Sequence, residues 1–103
     1  MDKRKAINIA KKFSIRAKDV IATEKIILFG SFAKGTNHKD SDIDIALIVK
    51  DSRYNFFKTY RQLSNICREI DTRIEPIILE KNKDFSGFLE TIYKEGIIIY
   101  KAA

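Results

Sequence analysis

The sequence has very few of the side chains from which proteins build disulfides and zinc sites, with one cysteine and one histidine in 103 residues. Because Cys67 has no partner cysteine in the chain, an internal disulfide is excluded, which is common in proteins of a reducing compartment. A zinc site of thiolate and imidazole ligands is excluded for the same reason. A metal bound here would therefore be a hard cation held by oxygen ligands.

Long apolar runs are missing as well. None approaches the roughly 20 residues that a membrane-spanning helix needs, and the N-terminal segment MDKRKAINIAKK lacks the apolar core of a signal peptide. We therefore expect a cytoplasmic protein with no membrane partner. The hydrophobic share of 45% and the charged share of 33% are typical of a globular protein. The length suits one domain with a single modest core, over residues 1–103.

Positive charge is in excess, and much of it lies near the N-terminus. The formal net charge is +6, and residues 2–18, DKRKAINIAKKFSIRAK, contain seven lysines and arginines. Such a segment suits the solvated face of a helix, a surface for nucleic acid or a surface for an acidic protein. The sequence leaves these three interpretations open.

Hydrophobic periodicity predicts the order helix, strand, turn, strand, helix, strand, helix, strand. The predicted helices cover residues 2–22, residues 53–70 and a last segment capped by Asp84 and stopped at Gly96, and the predicted strands cover Lys25–Phe29 and residues 43–50, 73–79 and 97–100. Pro76 lacks a backbone N–H and indicates that the third strand lies at a sheet edge or has an interrupted hydrogen-bond ladder. We expect an α+β fold, a small mixed β-sheet flanked by helices, with the helices on one face.

Polar residues mark the expected helix starts, and apolar spacing marks the buried faces. Asp2, the pair Asp51-Ser52 and Asp84 are the expected N-caps. The side chains expected to face the core are Ala6, Ala10, Phe13, Ala17 and Val20 in the first helix, Phe57, Tyr60, Leu63, Cys67 and Ile70 in the second, and Phe85, Phe88, Leu89 and Ile92 in the third.

Three aspartates stand at alternate positions where the second strand begins: Asp40, Asp42 and Asp44. Successive strand residues point to opposite faces, so Asp42 and Asp44 share one face, with Cα atoms roughly 7 Å apart. The intervening Ile43 points to the core. Two carboxylates so placed can converge on a pair of divalent cations, which would relieve their repulsion. The alternative is that Asp40 and Asp42 only cap a turn.

Three familiar functional motifs are excluded, because the residues that they require are missing from their positions in this sequence. A calcium loop starting at Asp40 needs Gly and Glu where Ile45 and Asp51 stand. A P-loop needs Lys after Gly35, where the sequence has Thr36. The serine-hydrolase pattern G-x-S-x-G is absent.

The Gly-Ser turn before the aspartates suits an anion. Gly30 at the strand end allows a tight turn and a close approach to a phosphate, and the following N–H groups, with the Ser31 hydroxyl, can hold phosphate oxygens. An anion site beside a cation site is what a magnesium–nucleotide complex requires.

The stretch GSFAKGTNHKDSDIDIALIV resembles the signature of the minimal nucleotidyltransferases of the DNA polymerase beta superfamily: GS, three residues, G, five residues, then S-D-x-D and an apolar strand. The matching positions are Gly30, Ser31, Gly35, Ser41, Asp42 and Asp44. The resemblance extends over nearly the whole chain, to EGIIIY at residues 95–100, and implies a fold like the polymerase beta palm. Phe32 stands where members usually have Arg, and Lys34 is the nearest charge.

The resemblance also implies the site. A third carboxylate on a later strand corresponds to Glu75, which would complete a metal shell or take the proton from the attacking hydroxyl; Asp71 is the fallback. The implied catalytic and metal-binding residues are Asp42, Asp44 and Glu75, and the implied nucleotide-binding residues are Gly30, Ser31, Lys34, Gly35 and Ser41. For His38, in the polar loop, the alternatives are a contact with substrate and an ordinary exposed histidine, and we favour the second.

By this resemblance, the expected reaction is Mg²⁺-dependent transfer of a nucleoside monophosphate, AMP from ATP, to an acceptor hydroxyl on a partner protein. The implied partner is a small helical HEPN-type toxin, with the chain as its antitoxin; self-association is equally allowed by the sequence. Two alternatives stay open. One is a catalytically weak antitoxin that acts by contact, and the other is nucleotide addition to RNA, which rests only on the charge.

Overall fold

The computed structural model describes residues 1–84 and 86–103 and contains four helices and four strands within them. They are α1 (Lys3–Ala17), β1 (Lys25–Phe29), α2 (Gly30–Lys34), β2 (Ile43–Val49), α3 (Phe56–Ile70), β3 (Ile74–Glu80), α4 (Phe88–Glu95) and β4 (Ile97–Lys101). The predicted order is confirmed, and the turn after β1 is the short helix α2. Phe85, predicted to face the core, lies outside the described residues. None of the helices in the described ranges has the length and apolar character to cross a membrane.

The four strands form one mixed sheet in the order β3-β2-β1-β4. β1 pairs antiparallel with both β2 and β4, and β2 pairs parallel with β3. The parallel pair requires a crossover, which α3 provides. β3 is an edge strand, as Pro76 predicted. The expected α+β fold, a small mixed sheet flanked by helices, is confirmed.

The sheet is covered on both faces. The larger core packs α1 and α3 against alternate residues of β2, and its members include Phe13, Ile43, Ile45, Leu47 and Leu63. The opposite face packs α4 against the other residues of β1 and β2: Ile27, Ala46, Ile48, Leu89 and Ile92. The expectation that all helices share one face is therefore wrong for α4. The physical reason lies in β2, whose centre is apolar on both sides, so that both sides must be buried.

Of the three predicted N-caps, Asp2 occupies the N-cap position and the other two do not. Asp2 caps α1 as expected, because its carboxylate accepts a hydrogen bond from the Lys5 N–H at 2.9 Å. The predicted cap at Asp51-Ser52 is wrong, since α3 begins at Phe56 and its N-cap is Asn55, which accepts from the Lys58 N–H. Asp51 instead accepts from the Arg53 N–H and closes a turn.

The bounds of α1 and α4 also differ from the prediction. α1 ends at Ala17, earlier than the predicted residue 22, and residues 18–20 form a turn. Asp84 does serve α4, since its carboxylate accepts from the Leu89 and Glu90 N–H groups, although the N-cap position itself is Gly87. α4 ends at Gly96 as expected.

One residue that was predicted to lie on the buried face of α3 is exposed. Leu63 and Cys67 are buried as expected, but Phe57 is 82% exposed. At about 100° per residue, Phe57 lies roughly 200° around the helix from the buried Thr59, which places it on the opposite face. Its ring instead contacts the ring of Phe56, with centroids 5.3 Å apart.

The orientation of α3 can be tested with two substitutions. Leu63→Ala should lower the free energy of unfolding by about 2–5 kcal/mol, because it leaves a cavity in the larger core. Phe57→Ala should change it by less than about 0.5 kcal/mol, because the ring is in solvent. Urea denaturation followed by circular dichroism measures both. A cost for Phe57→Ala equal to that for Leu63→Ala would show that the helix is rotated.

Candidate functional site

Phe29, Asp44 and Glu75 lie side by side across the sheet, near the N-terminal end of β2. Asp44 on β2 is opposite Phe29 on β1 in the antiparallel register and opposite Glu75 on β3 in the parallel register. Neighbours in register share a sheet face, so the row Phe29–Asp44–Glu75 is on the face that α4 partly covers. Asp42 is exposed, immediately before β2 and two residues from Asp44. The sheet thus places Asp44 and Glu75 side by side, and Asp42 precedes Asp44 by two residues.

The site disfavours its own negative charge. Burial raises the pKa of the Asp44 carboxyl above its usual range, and the charges of Asp42 and Glu75 raise it further. Asp44 is half-buried, whereas Asp42 and Glu75 are exposed. A cation placed among the three would offset both the desolvation and the repulsion.

Gly30 passes directly against the Asp44 carboxylate. Its φ is +73°, and a Cβ added there would overlap Asp44 Oδ2. A side chain at this position is therefore opposed by both the backbone conformation and the available space. Phe29, the N-cap residue of α2, has no side-chain acceptor, so the first N–H groups of α2 have no side-chain cap beside the carboxylates.

The remaining residues of the Gly-Ser motif have different environments. The Ser31 carbonyl accepts from the N–H groups of Gly35 and Thr36, which ends α2, and Gly35 has a φ of +76°. Lys34 is exposed, and its Nζ lies 3.9 Å from a carboxylate oxygen of Glu95 on α4. Phe32, at the position where Arg is usual, is buried in the larger core and does not line the site.

Ser41 shapes the loop that leads to the aspartates. It is buried, its hydroxyl accepts from the His38 N–H at 2.9 Å, and its own N–H donates to the His38 carbonyl. His38 is exposed, as expected, and its Nδ1 accepts from the Asp40 N–H. Residues 38–41 therefore form a closed turn that fixes the start of β2 and the position of Asp42.

Asp71, the fallback for the third carboxylate, is engaged elsewhere. Its carboxylate forms a two-pronged ion pair with the Arg73 guanidinium, at 3.0 and 2.7 Å. The hydrogen bonds from Arg73 hold the pKa of the Asp71 carboxyl below its usual range. Glu75 is the residue in register with Asp44, so the geometry favours Glu75 as the third carboxylate.

A pocket beside Gly30 was not anticipated from the sequence. It has a volume of about 190 Å³ and lies between the end of β1 and α4, lined by Phe29, Gly30, Lys34, Phe88, Thr91, Ile92 and Glu95. The sequence predicted Phe88 and Ile92 as ordinary core residues, because helical spacing does not reveal which sheet face a helix covers.

The donor set suits a hard cation, although the side chains do not form a closed shell. Within residues 1–84 and 86–103, no three His, Cys, Asp or Glu side chains are placed closely enough to hold a metal ion. Mg²⁺ is usually bound through one or two carboxylates, with substrate phosphates and water completing its octahedron. Asp42 and Asp44, with the raised pKa of Asp44, fit that mode of binding.

Comparison with known proteins identifies a family. The family described as polymerase beta, nucleotidyltransferase matches residues 7–103. A candidate protein adenylyltransferase from Methanocaldococcus jannaschii is 30% identical over 76 residues, which cover 72% of this chain and 76% of that protein. The protein adenylyltransferase MntA of Shewanella oneidensis is 37% identical over 54 residues, which cover 52% of this chain and 38% of that protein. In two further M. jannaschii relatives the match spans 58% and 62% of the relative, so parts of these proteins lie outside the compared region.

Solved structures share the fold. A candidate nucleotidyltransferase from Sulfolobus solfataricus superimposes with a TM-score of 0.68 at 23% identity, over 96% of this chain and 83% of that one. A structure of the tri-AMPylated Shewanella oneidensis HEPN toxin in complex with MNT antitoxin gives 0.60 at 17% identity, over 93% of this chain and 73% of that one. At these identities the likeness concerns the fold.

The close approach of Gly30 to Asp44 can be tested against a second glycine. Gly30→Ala and Gly87→Ala both place a side chain at positive φ, which costs roughly 1–2 kcal/mol of stability. An added Cβ meets Asp44 at residue 30 and nothing within 4 Å at residue 87. Gly30→Ala should therefore lower the free energy of unfolding by more than Gly87→Ala does, as measured by urea denaturation. An equal loss of stability in both variants would contradict the contact.

The charge repulsion predicts how stability depends on pH. A carboxyl whose pKa is raised in the folded state contributes stability below its ordinary pKa of 3.8, and this stability is lost as the pH rises through the raised value. In the absence of metal, Asp44→Asn should therefore be more stable than the wild type at pH 7, with the difference shrinking toward pH 4. Urea unfolding at both pH values measures this difference. Asp40→Asn, at an exposed neighbour, should stay within about 0.5 kcal/mol of the wild type, and a loss of stability in Asp44→Asn at pH 7 would refute the explanation.

Proposed function

The chain belongs to the polymerase beta nucleotidyltransferase family, and from this premise we propose that it transfers AMP from ATP to a hydroxyl group of a partner protein. The observation that carries the proposal is that Asp44 contacts the Gly30 backbone and stands in register with Glu75. Relatives that match over most of this chain's length are named as protein adenylyltransferases, which supports AMP and a protein acceptor.

Mg²⁺ fits the donor set, and Asp42 and Asp44 would hold it, with Glu75 as the third candidate ligand. When bound, the ion supplies positive charge that neutralises phosphate oxygens and lowers the pKa of a coordinated hydroxyl. The raised pKa of Asp44 supports this assignment, because the isolated cluster is electrostatically unfavourable.

The phosphates are assigned to the start of α2. Gly30, the first residue of α2, lies against Asp44, and the N–H groups of this turn have no side-chain cap, so that the backbone can come close to an anion. The Ser31 hydroxyl and Lys34 add a donor and a positive charge, although Lys34 is loosely engaged by Glu95. Gly35 and Ser41 act by shaping the two turns that frame this cradle.

The reaction is an in-line substitution at the α-phosphorus. The acceptor oxygen forms a bond to the α-phosphorus as the bond from that phosphorus to the bridging oxygen of the β-phosphate breaks, and pyrophosphate leaves with the electron pair. The hydroxyl proton passes to Glu75, which is exposed on the same sheet face as Asp44. The main contributions of the protein are position and charge.

The proposed partner is a small helical HEPN-type protein. This follows from the fold shared with the MNT antitoxin that is bound to a tri-AMPylated HEPN toxin. The exposed lysines and arginine at the start of α1, Lys3, Arg4 and Lys5, offer a basic contact surface for it. Association of two copies of this chain is the alternative arrangement.

A second candidate function is neutralisation of the partner by contact alone, with a weak nucleotide site. One observation favours it. The position at which family members usually carry Arg is occupied by Phe32 in the core, and the nearby Lys34 faces Glu95, so neither residue offers the phosphates a free positive charge. Binding of the partner by a catalytically inactive chain would support neutralisation by contact alone.

The test uses ATP labelled at the α-phosphate, Mg²⁺ and lysate from the source cells, with label followed in protein and RNA fractions. Wild-type chain should label protein, and Asp44→Asn should lower the label about 100-fold or more, the scale on which loss of one charge-stabilising group acts. Asp51→Asn is the matched control, because Asp51 follows the opposite end of β2 and closes a turn there.

Each outcome selects a function. Label in protein that depends on Asp44 and not on Asp51 supports the transferase, and label confined to RNA replaces the protein acceptor by a nucleic acid. Label that Asp44→Asn leaves unchanged would refute the carboxylate site. If the wild-type chain transfers no label to a purified HEPN-type partner that it binds, contact alone is the function.

A further inference from the structure

We propose that the pocket between Gly30 and α4 binds the base of the nucleotide. This inference deepens the proposed function and rests on it, since it assigns a place to the part of the substrate that neither the carboxylates nor the Gly-Ser turn holds. The pocket is the 190 Å³ cavity whose apolar walls are Phe29, Phe88 and Ile92.

The position of the pocket connects it to the carboxylates. Phe29 lines the pocket and is the cross-strand partner of Asp44 on the same sheet face. Gly30 also lines it, and the backbone of Gly30 contacts the Asp44 carboxylate. A ligand with its phosphates at Asp44 therefore has the pocket as its immediate neighbour on the β1 side, within the length of one nucleotide.

The size of the pocket limits what it can hold. Sites that enclose a whole drug-sized ligand have volumes of about 300–1,000 Å³, and this pocket has about 190 Å³. It therefore accommodates one ring system, with the rest of the ligand outside. A base in the pocket and phosphates at the carboxylates match that division.

The chemistry of the walls favours a neutral, flat group. The rings of Phe29 and Phe88 meet edge to face with centroids 5.8 Å apart, and Phe88 is 41% exposed although it is large and apolar. Base stacking on such rings tolerates any base, because every base has a π-face. Ile92 is buried and provides an apolar wall next to them.

The polar residues at the rim of the pocket disfavour a phosphate as its ligand. Glu95 is exposed at the rim and would repel an anion, and Lys34, 3.9 Å away, offsets that charge. The Thr91 hydroxyl donates to the Gly87 carbonyl, so that it can only accept a further hydrogen bond. A neutral base, with polar groups on its edge and apolar faces, suits this rim better than the triphosphate does.

The test compares two probes, a non-hydrolysable ATP analogue and inorganic tripolyphosphate, both with Mg²⁺ and measured by calorimetry on the full chain. Phe88→Ala should weaken binding of the ATP analogue about tenfold and leave binding of tripolyphosphate unchanged. Phe88→Tyr keeps an aromatic ring and should retain the wild-type affinity for the analogue. Phe57→Ala is the matched control, because Phe57 is an exposed phenylalanine at the start of a helix on the other sheet face.

The outcomes separate this inference from the proposed function. If Phe88→Ala binds the analogue as tightly as the wild type does, the base lies elsewhere and the inference is wrong, while the nucleotide site stands. An equal loss for both probes would also overturn it, since Phe88 would then act on the phosphate site through the fold. Failure of the wild-type chain to bind either probe would refute the proposed function and the subsite together.

Discussion

The contact between the Gly30 backbone and the Asp44 carboxylate is the constraint on which the site depends. It requires β1 to end at Phe29, directly opposite Asp44, and the chain to turn at positive φ in the next residue. The turn begins α2, whose first residue, Gly30, consequently lies against Asp44. The proposed phosphate site and the proposed cation site would thus be neighbours because two antiparallel strands are paired in one register. A slip of one residue would turn Asp44 toward the larger core.

The same geometry explains why the cluster stands where it does. The centre of β2 is buried on both faces, so that three carboxylates there would be expensive to desolvate. At its beginning the strand is more open: Asp42 is exposed and Asp44 is half-buried, and β3 is an edge strand that leaves Glu75 in solvent. The pKa of Asp44 is nevertheless raised. The fold therefore tolerates a repulsion that is smallest at this end of the sheet and that a divalent cation would remove.

Local patterns in the sequence predicted the features that depend on local geometry. Strand alternation predicted that Ile43 faces the core and Asp44 the opposite side, and Pro76 favoured an edge position for β3; the structure has Ile43 in the larger core, Asp44 in register with Glu75, and β3 at the edge. What depends on long-range packing was not predictable. Helical spacing in α4 identified Leu89 and Ile92 as buried but carried no information about which sheet face they cover. The pocket follows from that packing, so neither Thr91 nor Glu95 could be recognised in advance.

The two sides of Asp44 differ, and this difference suggests from which side each substrate of the proposed reaction binds. On the β1 side, α4 and Phe29 enclose a small apolar cavity. On the β3 side, Glu75 is exposed on an edge strand. In the proposed reaction, with the base in the cavity and the phosphates at the start of α2, the acceptor hydroxyl would approach from the β3 side, where Glu75 would receive its proton. A macromolecular acceptor needs such an open edge, because a protein chain could not enter a cavity of this size. In this proposed arrangement the chain would enclose one end of the nucleotide and leave the reacting phosphorus accessible to a partner.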